Sequence, residues 1–262
     1  FSKLKKLANT QNLNFISTPL DFSSAHFLKK NCKIIKIASG DNNFYDLINI
    51  FLDHNKQLII STGMMNALNI KNLIEFILKK KGKKFLKNNL SLLHCVSSYP
   101  AEQKSLNLMS IKYLVDIYKK INIGYSDHSI GYDACVTAVA LGARIVEKHF
   151  TLSNNFSNFR DHKLSLNPID MKIMVKKIRT VEMQLGKYEK VVQKNEKKVI
   201  SLSRRSMIVK ESVNKNETLT SLNTSFLRPE IRGSEIINEI LNKKKIRKSL
   251  KSGELIKNKL LF

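Results

Sequence analysis

Two histidines stand in matching surroundings in this sequence, His128 closing GYSDH and His149 closing VEKH. Neutral imidazoles are good ligands for divalent transition metals. Each is preceded, two residues earlier, by an oxygen-bearing side chain, Ser126 in one case and Glu147 in the other. Two imidazoles, a hydroxyl and a carboxylate around one pocket suit a metal with open positions for a substrate oxygen and water. The alternative is that each histidine ends a strand and bonds locally; the matching placement of the pair favours a shared site.

A second chemical signal is Lys36, set inside Ile34-Ile35-Lys36-Ile37-Ala38. Burying an ammonium is costly unless an anion meets it, and a phosphate or carboxylate is such an anion. Snorkelling at a strand edge is the competing explanation. Ser61-Thr62-Gly63 offers hydroxyls and bare backbone to a phosphate, although three such residues also make an ordinary turn.

The elements that must position these groups read as a series. Ile121 to Tyr125 and Arg144 to Val146 are strand-like runs on either side of a helix-like segment. In a βαβ unit the two strands are parallel, so their carboxyl ends lie side by side and the histidines can converge. Side chains two apart share a face, which sets Ser126 with His128 and Glu147 with His149. Upstream, strands are expected at Leu13–Ser17, Lys33–Ala38, Leu58–Ile60 and Leu90–Leu93. Helices are expected through His26 to Lys30, at Tyr45–His54, from Ala67 to about Lys80, and from Leu108 to Lys119.

Six strand-helix alternations imply a parallel sheet, doubly wound or barrel. No GxGxxG opens a helix, so a dinucleotide fold is poorly supported. Polar groups at the ends of many successive strands are the habit of the (β/α)8 barrel, from which six units are two short. Asn167 then caps a helix that has Pro168 at its first position and ends at Gly186. Residues 187–199 read as a charged linker. From Ile200 to Phe262 the chain turns small and partly β, with a short helix expected near Ser234 to Leu241.

Composition narrows the class. Hydrophobic residues make up 42% of 262, enough for a real core. No apolar run is long enough for a membrane span and no signal peptide is visible, so no membrane association is expected. The first residue is Phe1 and not Met, so the true beginning is expected to be missing. Cys32, Cys95 and Cys135 are scattered without CxxC spacing, which points to a reducing cytoplasm and against a disulfide framework or structural zinc. The net charge of +25 raises nucleic acid as a partner. Lys and Asn are spread along the whole chain with abundant Ile, as in an AT-rich genome, so no nucleic-acid partner is expected.

The ordered motifs STP, KIASGD, ISTGM, LLHCVSSYP, GYSDHS, RIVEKHFTL and DHKLS, followed by RRS, LRP and KSGELI, resemble the sialic acid synthases. Among these are the N-acetylneuraminate, legionaminate and pseudaminate synthases. The resemblance spans essentially the whole chain. It implies a (β/α)8 barrel over residues 1–186 and an antifreeze-like (SAF) domain over 200–262. The implied reaction condenses phosphoenolpyruvate with an N-acetylated amino sugar, giving a nine-carbon 2-keto acid and phosphate. It also implies Mn2+ or Mg2+ on His128 and His149, and phosphoenolpyruvate on Lys36, Ser39, Ser61 and Ser126. Asp41 would meet sugar hydroxyls, Tyr99 would contact sugar, and Glu147 would stand beside the metal; Ser97 and Asp161 join the substrate-binding set. Arg228 would reach into a partner's barrel, which makes the expected assembly a head-to-tail, domain-swapped homodimer.

This sequence departs from the family pattern at the front, where two βα units with NHxG-like and KFQ-like motifs have no counterpart. The expectation is therefore a barrel without its first two units, with the chain acting as part of an enzyme or as an inactive remnant that binds carbohydrate or a partner. Asp41 replaces the usual Glu, and Ser97 stands where N-acetylneuraminate enzymes carry Asn. Both leave the amino sugar open.

Overall fold

The computed structural model describes residues 1–234 and 244–262. It divides into two compact units, Phe1–Gly186 and Lys187–Phe262. In the first unit, α1 (Ser2–Thr10) and α2 (Phe22–Asn31) precede an alternating series: β1 (Ile34–Ile37), α3 (Tyr45–Leu52), β2 (Gln57–Ser61), α4 (Ala67–Asn89), β3 (Leu90–Cys95), α5 (Met109–Ile117), β4 (Asn122–Asp127), α6 (Asp133–Ala140) and β5 (Val146–Lys148). A short α7 (Arg160–Leu164) and a long α8 (Pro168–Leu185) follow. The five strands form one sheet in sequence order, every pair parallel, as consecutive βα units require.

The two faces of the sheet differ because strand side chains alternate. Ile35, Ile37, Leu58, Ile60, Leu90, Leu92, Ile123 and Tyr125 join the helices' Leu47, Phe51, Leu73, Ile77, Ile111 and Ala138 in the main core. Lys36, Ile59, Ser61, Leu93, Cys95 and Ser126 fall on the other face by the same alternation. Across that inner face the sheet curls. In a flat sheet β1 and β5 would be about 19 Å apart, at about 4.8 Å per strand step. Yet Lys36 on β1 meets Glu147 on β5 at 3.4 Å.

The ladder is also staggered. Lys36 pairs with Ile59, Ile59 with Ser91 and Ser91 with Asn122. Carrying the β4–β5 register back from Ser126↔Glu147 brings that row to Ala143, four residues before Glu147. The side chains that meet across the curl are thus displaced along the strands, as tilted strands in a curled sheet must be.

Several expectations shift. The strand expected at Leu13–Ser17 is a single parallel bridge, Ser17 to Ile35, because only one rung forms against β1. At the other side Phe150 bridges Leu166 in parallel. The last strand begins at Val146 rather than Arg144, which puts Glu147 inside the ladder and His149 just beyond it. The helix expected to end near Lys80 breaks at Gly82, whose φ of 73° favours glycine, and then resumes to Asn89. Helices α1 and α7 were not anticipated.

Asn167 caps α8 as its sequence implies, its side chain accepting from the N–H groups of Ile169 and Asp170, with Gly186 ending the helix. In the second unit α9 (Ile200–Ser203) leads to an antiparallel pair, β6 (Ser206–Val209) with β7 (Thr224–Leu227). Its core is Met207, Val209, Val213, Leu219, Ile246, Leu250, Ile256 and Leu261. The helix expected near Ser234 to Leu241 falls on residues outside the described ones, apart from Ser234.

Candidate active site

The carboxyl ends of β1 to β5 gather most of the chemistry read from the sequence. Ser126 and Glu147 are register partners on neighbouring strands, and Ser126 Oγ donates to Glu147 Oε1 at 2.7 Å. The same carboxylate oxygen faces Lys36 Nζ at 3.4 Å. Lys36 is only 8% exposed and also donates to its neighbour's carbonyl, Ile37 O, at 3.3 Å. A buried ammonium, a hydroxyl and a half-exposed carboxylate therefore share one wall.

The histidines close this wall. The His128 and His149 ring centroids are 5.4 Å apart with their planes at 68°. His128 Nδ1 lies 2.9 Å from Val96 O; a carbonyl only accepts, so Nδ1 carries a proton and, in the neutral ring, Nε2 keeps its lone pair. Tyr99 covers the pair, its ring centroid 4.0 Å from His128 and 5.9 Å from His149. Asp161 Oδ2 stands 3.9 Å from His149 Nδ1.

Burial lowers the His149 pKa, the neighbouring His128 lowers it further, and Asp161 opposes both. Burial also works against a charged His128, but contacts with Cys95, the Val96 carbonyl and Asp127 outweigh it and raise that pKa. Burial likewise raises the Cys95 thiol, against which His128, Ser39 and Ser126 prevail to lower it. The donor set suits a divalent ion: two imidazoles, one oriented by the Val96 carbonyl as metal-binding histidines usually are, the other with the Asp161 carboxylate 3.9 Å away. Among the described residues no three His, Cys, Asp or Glu side chains converge as a metal cage, so the protein's share would be the two imidazoles, leaving open positions.

On the same face of the sheet as the lysine lies a hydroxyl-lined cradle. Ser61 is 2% exposed, and its Oγ, like Ser97 Oγ, is buried without a hydrogen-bond partner among the protein atoms. Gly63 sits between Ser39 and Ser97: a methyl group on it would overlap Ser97 Oγ and lie 2.6 Å from Ser39 Oγ. The loop is clamped by Asn42, whose Nδ2 donates to Ser61 O at 3.1 Å and Gly63 O at 2.9 Å, and by Thr62 Oγ1 on Leu93 O. Orphaned hydroxyls beside bare backbone and a buried ammonium are what an oxyanion requires.

Asp41 is half-buried at the end of the turn after β1, with its N–H on Ala38 O. Arg228 follows β7 in the second unit and is exposed. Sequence reasoning passed over Asn42 and the pair Asp127–Lys148, which meet at 2.7 Å with side chains 0% and 1% exposed. Burial raises the Asp127 pKa, but Lys148 and the Ser129 contacts outweigh it and hold the carboxyl below the usual range. The available signal was Lys148 between two inward-facing residues, which makes it an outward-facing cation beside a core.

Fold and site together define a class: an α/β protein whose curled parallel sheet collects polar and ionisable side chains at its carboxyl edge, where barrel enzymes keep their chemistry. The NeuB family model matches residues 1–190. The chain is 42% identical over 247 residues to an uncharacterized protein of Methanocaldococcus jannaschii, covering 93% of this chain and 71% of that one. It is 36% identical to the N,N'-diacetyllegionaminic acid synthase of Campylobacter jejuni, covering 94% of this chain and 72% of that one. It also resembles the crystal structure of the N-acetylneuraminic acid synthetase of Leptospira borgpetersenii, at 33% identity with a TM-score of 0.70, covering 76% and 67% of the two chains. The chain belongs to the NeuB family, that of the sialic acid synthases. Among the described residues no helix is long and apolar enough to cross a membrane.

Proposed function

We propose that this chain carries the site of a nonulosonate synthase, condensing phosphoenolpyruvate with an N-acetylated amino sugar, ManNAc or a modified hexose. The observation that carries the reading is the buried Lys36 ammonium, set against Glu147, to whose same oxygen Ser126 donates. Phosphoenolpyruvate brings the phosphate and carboxylate that such a wall binds. Lys36 and the hydroxyls of Ser39, Ser61 and Ser126 hold the anion. Tyr99, Asp41, Ser97 and Asp161 orient the sugar.

The enol carbon bonds to the sugar aldehyde carbon, water adds at the phosphate-bearing carbon, and phosphate leaves with its bridging oxygen. Glu147 takes one proton of that water, the aldehyde oxygen ends as a hydroxyl with one proton, and the second water proton leaves with the phosphate as the ketone forms. His128 and His149 would hold the divalent ion, Mn2+ or Mg2+, whose chemistry when bound is to polarise the aldehyde oxygen.

The curled sheet belongs, on this reading, to an eight-stranded barrel completed by two further βα units. Its four-residue stagger supports this, since half of an eight-stranded barrel of shear eight is displaced by about four residues. The second unit would be an SAF domain, its Arg228 entering a partner's barrel in a domain-swapped homodimer in the cytoplasm. Titration of phosphoenolpyruvate into the chain with Mn2+ tests the reading: one site is expected, with affinity reduced at least about tenfold in Lys36→Met, the loss of one charge-assisted contact. Equal binding by both proteins would refute it.

A further inference from the structure

On the reading that His128 and His149 hold a divalent ion, we infer that the buried pair Asp127–Lys148 sets the spacing of the two imidazoles from the opposite face of the sheet. The ladder between β4 and β5 ends on the rung Asp127↔Lys148, and each histidine is the next residue along its chain. Beyond that rung the main chains part. The His128 carbonyl accepts from Ala101 N at 3.0 Å, and the His149 carbonyl accepts from Leu166 N at 2.8 Å. Among the described residues a direct tie between the two strand ends comes from the Lys148 ammonium, which reaches Asp127 and Ser129 O.

That tie is built to be directional. Asp127 Oδ2 accepts from Lys148 Nζ at 2.7 Å and from Cys135 Sγ at 3.3 Å. Its Oδ1 accepts from Tyr125 OH at 3.0 Å and from Ser129 N–H at 2.9 Å. Lys148 Nζ donates in addition to Ser129 O. A buried ion pair offers little stability over well-packed apolar side chains, so its distinctive contribution is to fix geometry. Both residues face the core side, away from Ser126 and Glu147, and so act on the site only through the histidines as positioning residues.

The test is the Mn2+ dissociation constant of the full chain, read from the electron paramagnetic resonance of free Mn2+, together with the urea unfolding midpoint. Asp127→Asn with Lys148→Met removes both charges and leaves no single charge buried. This double variant is expected to stay folded and to bind Mn2+ about ten- to a hundredfold more weakly, the usual loss when a support behind a metal ligand is removed. A folded double variant with unchanged affinity overturns the inference. Should it fail to fold, Tyr125→Phe decides: it takes one hydrogen bond from Asp127, so several-fold weaker binding supports the inference and wild-type affinity overturns it. His128→Ala and His149→Ala separate the two levels. If they too bind Mn2+ like the wild type, the ligand assignment itself has failed; if they lose Mn2+ while the double variant keeps it, only the positioning role has.

Discussion

Lys36 Nζ and Glu147 Oε1 stand 3.4 Å apart although they belong to the first and last strands of a five-stranded sheet. The contact reports the curl of the sheet and crosses its inner face. The Glu147 side chain is 43% exposed and in contact with water, but Lys36 is only 8% exposed. Glu147→Gln takes the anion from a buried ammonium and should lower the urea-derived unfolding free energy by about 1–3 kcal/mol. Turnover by the proposed barrel, in the variant that stays folded, should fall about 10²- to 10⁴-fold, the range for losing a general base, measured as phosphate release at saturating substrates.

Gly63 is the narrowest point of the hydroxyl cradle. A methyl group there collides with Ser97 and Ser39, both of which must turn away. Gly63→Ala should cost about 1–3 kcal/mol as an overpacked site. It should also weaken phosphoenolpyruvate binding in a calorimetric titration, while a change at exposed Gly40, which meets nothing within 4 Å, should leave that affinity unaltered.

Asn42 holds the same loop from behind. Its amide satisfies two carbonyls, Ser61 O and Gly63 O, from a position 5% exposed. Asn42→Ala removes both donors at once. The expected loss is about 1–3 kcal/mol of unfolding free energy by urea denaturation, the usual cost of stranding a buried acceptor.

His94 gives the fold an acid-sensitive contribution. Burial lowers its pKa from 6.5, and the Leu106 carbonyl, 2.8 Å from Nε2, only partly offsets this. The unfolded chain thus takes up a proton first as pH falls. The contribution is present above pH 6.5 and is lost as pH falls from there through the lower folded-state value. His94→Gln should flatten the decline in stability on acidification, read as urea midpoints across pH 7.5 to about 5.

Much of this arrangement was legible in the sequence because alternation writes both faces of a strand at once. Ile35, Lys36 and Ile37 declare two core positions and one inward cation, and GYSDH and VEKH place Ser126 beside His128 and Glu147 before His149. The first strand was over-read: Leu13–Ser17 has a strand's composition, but composition does not show that only Ser17 finds a partner. Asp127 and Lys148 were hidden by their surroundings, since each reads as part of a polar strand-end cluster until the register shows them opposite one another and buried. Asn42 was hidden too, because a clamp on carbonyls 19 and 21 residues away leaves no local pattern.

The most direct measurement is phosphate release from phosphoenolpyruvate with Mn2+, with and without N-acetylated amino sugars, by this chain joined to the two βα units proposed to complete its barrel. The account predicts release only when the sugar is present, together with a nine-carbon 2-keto acid detected by mass. Release that ignores the sugar, or none from the completed barrel with any N-acetylated hexose, would contradict it.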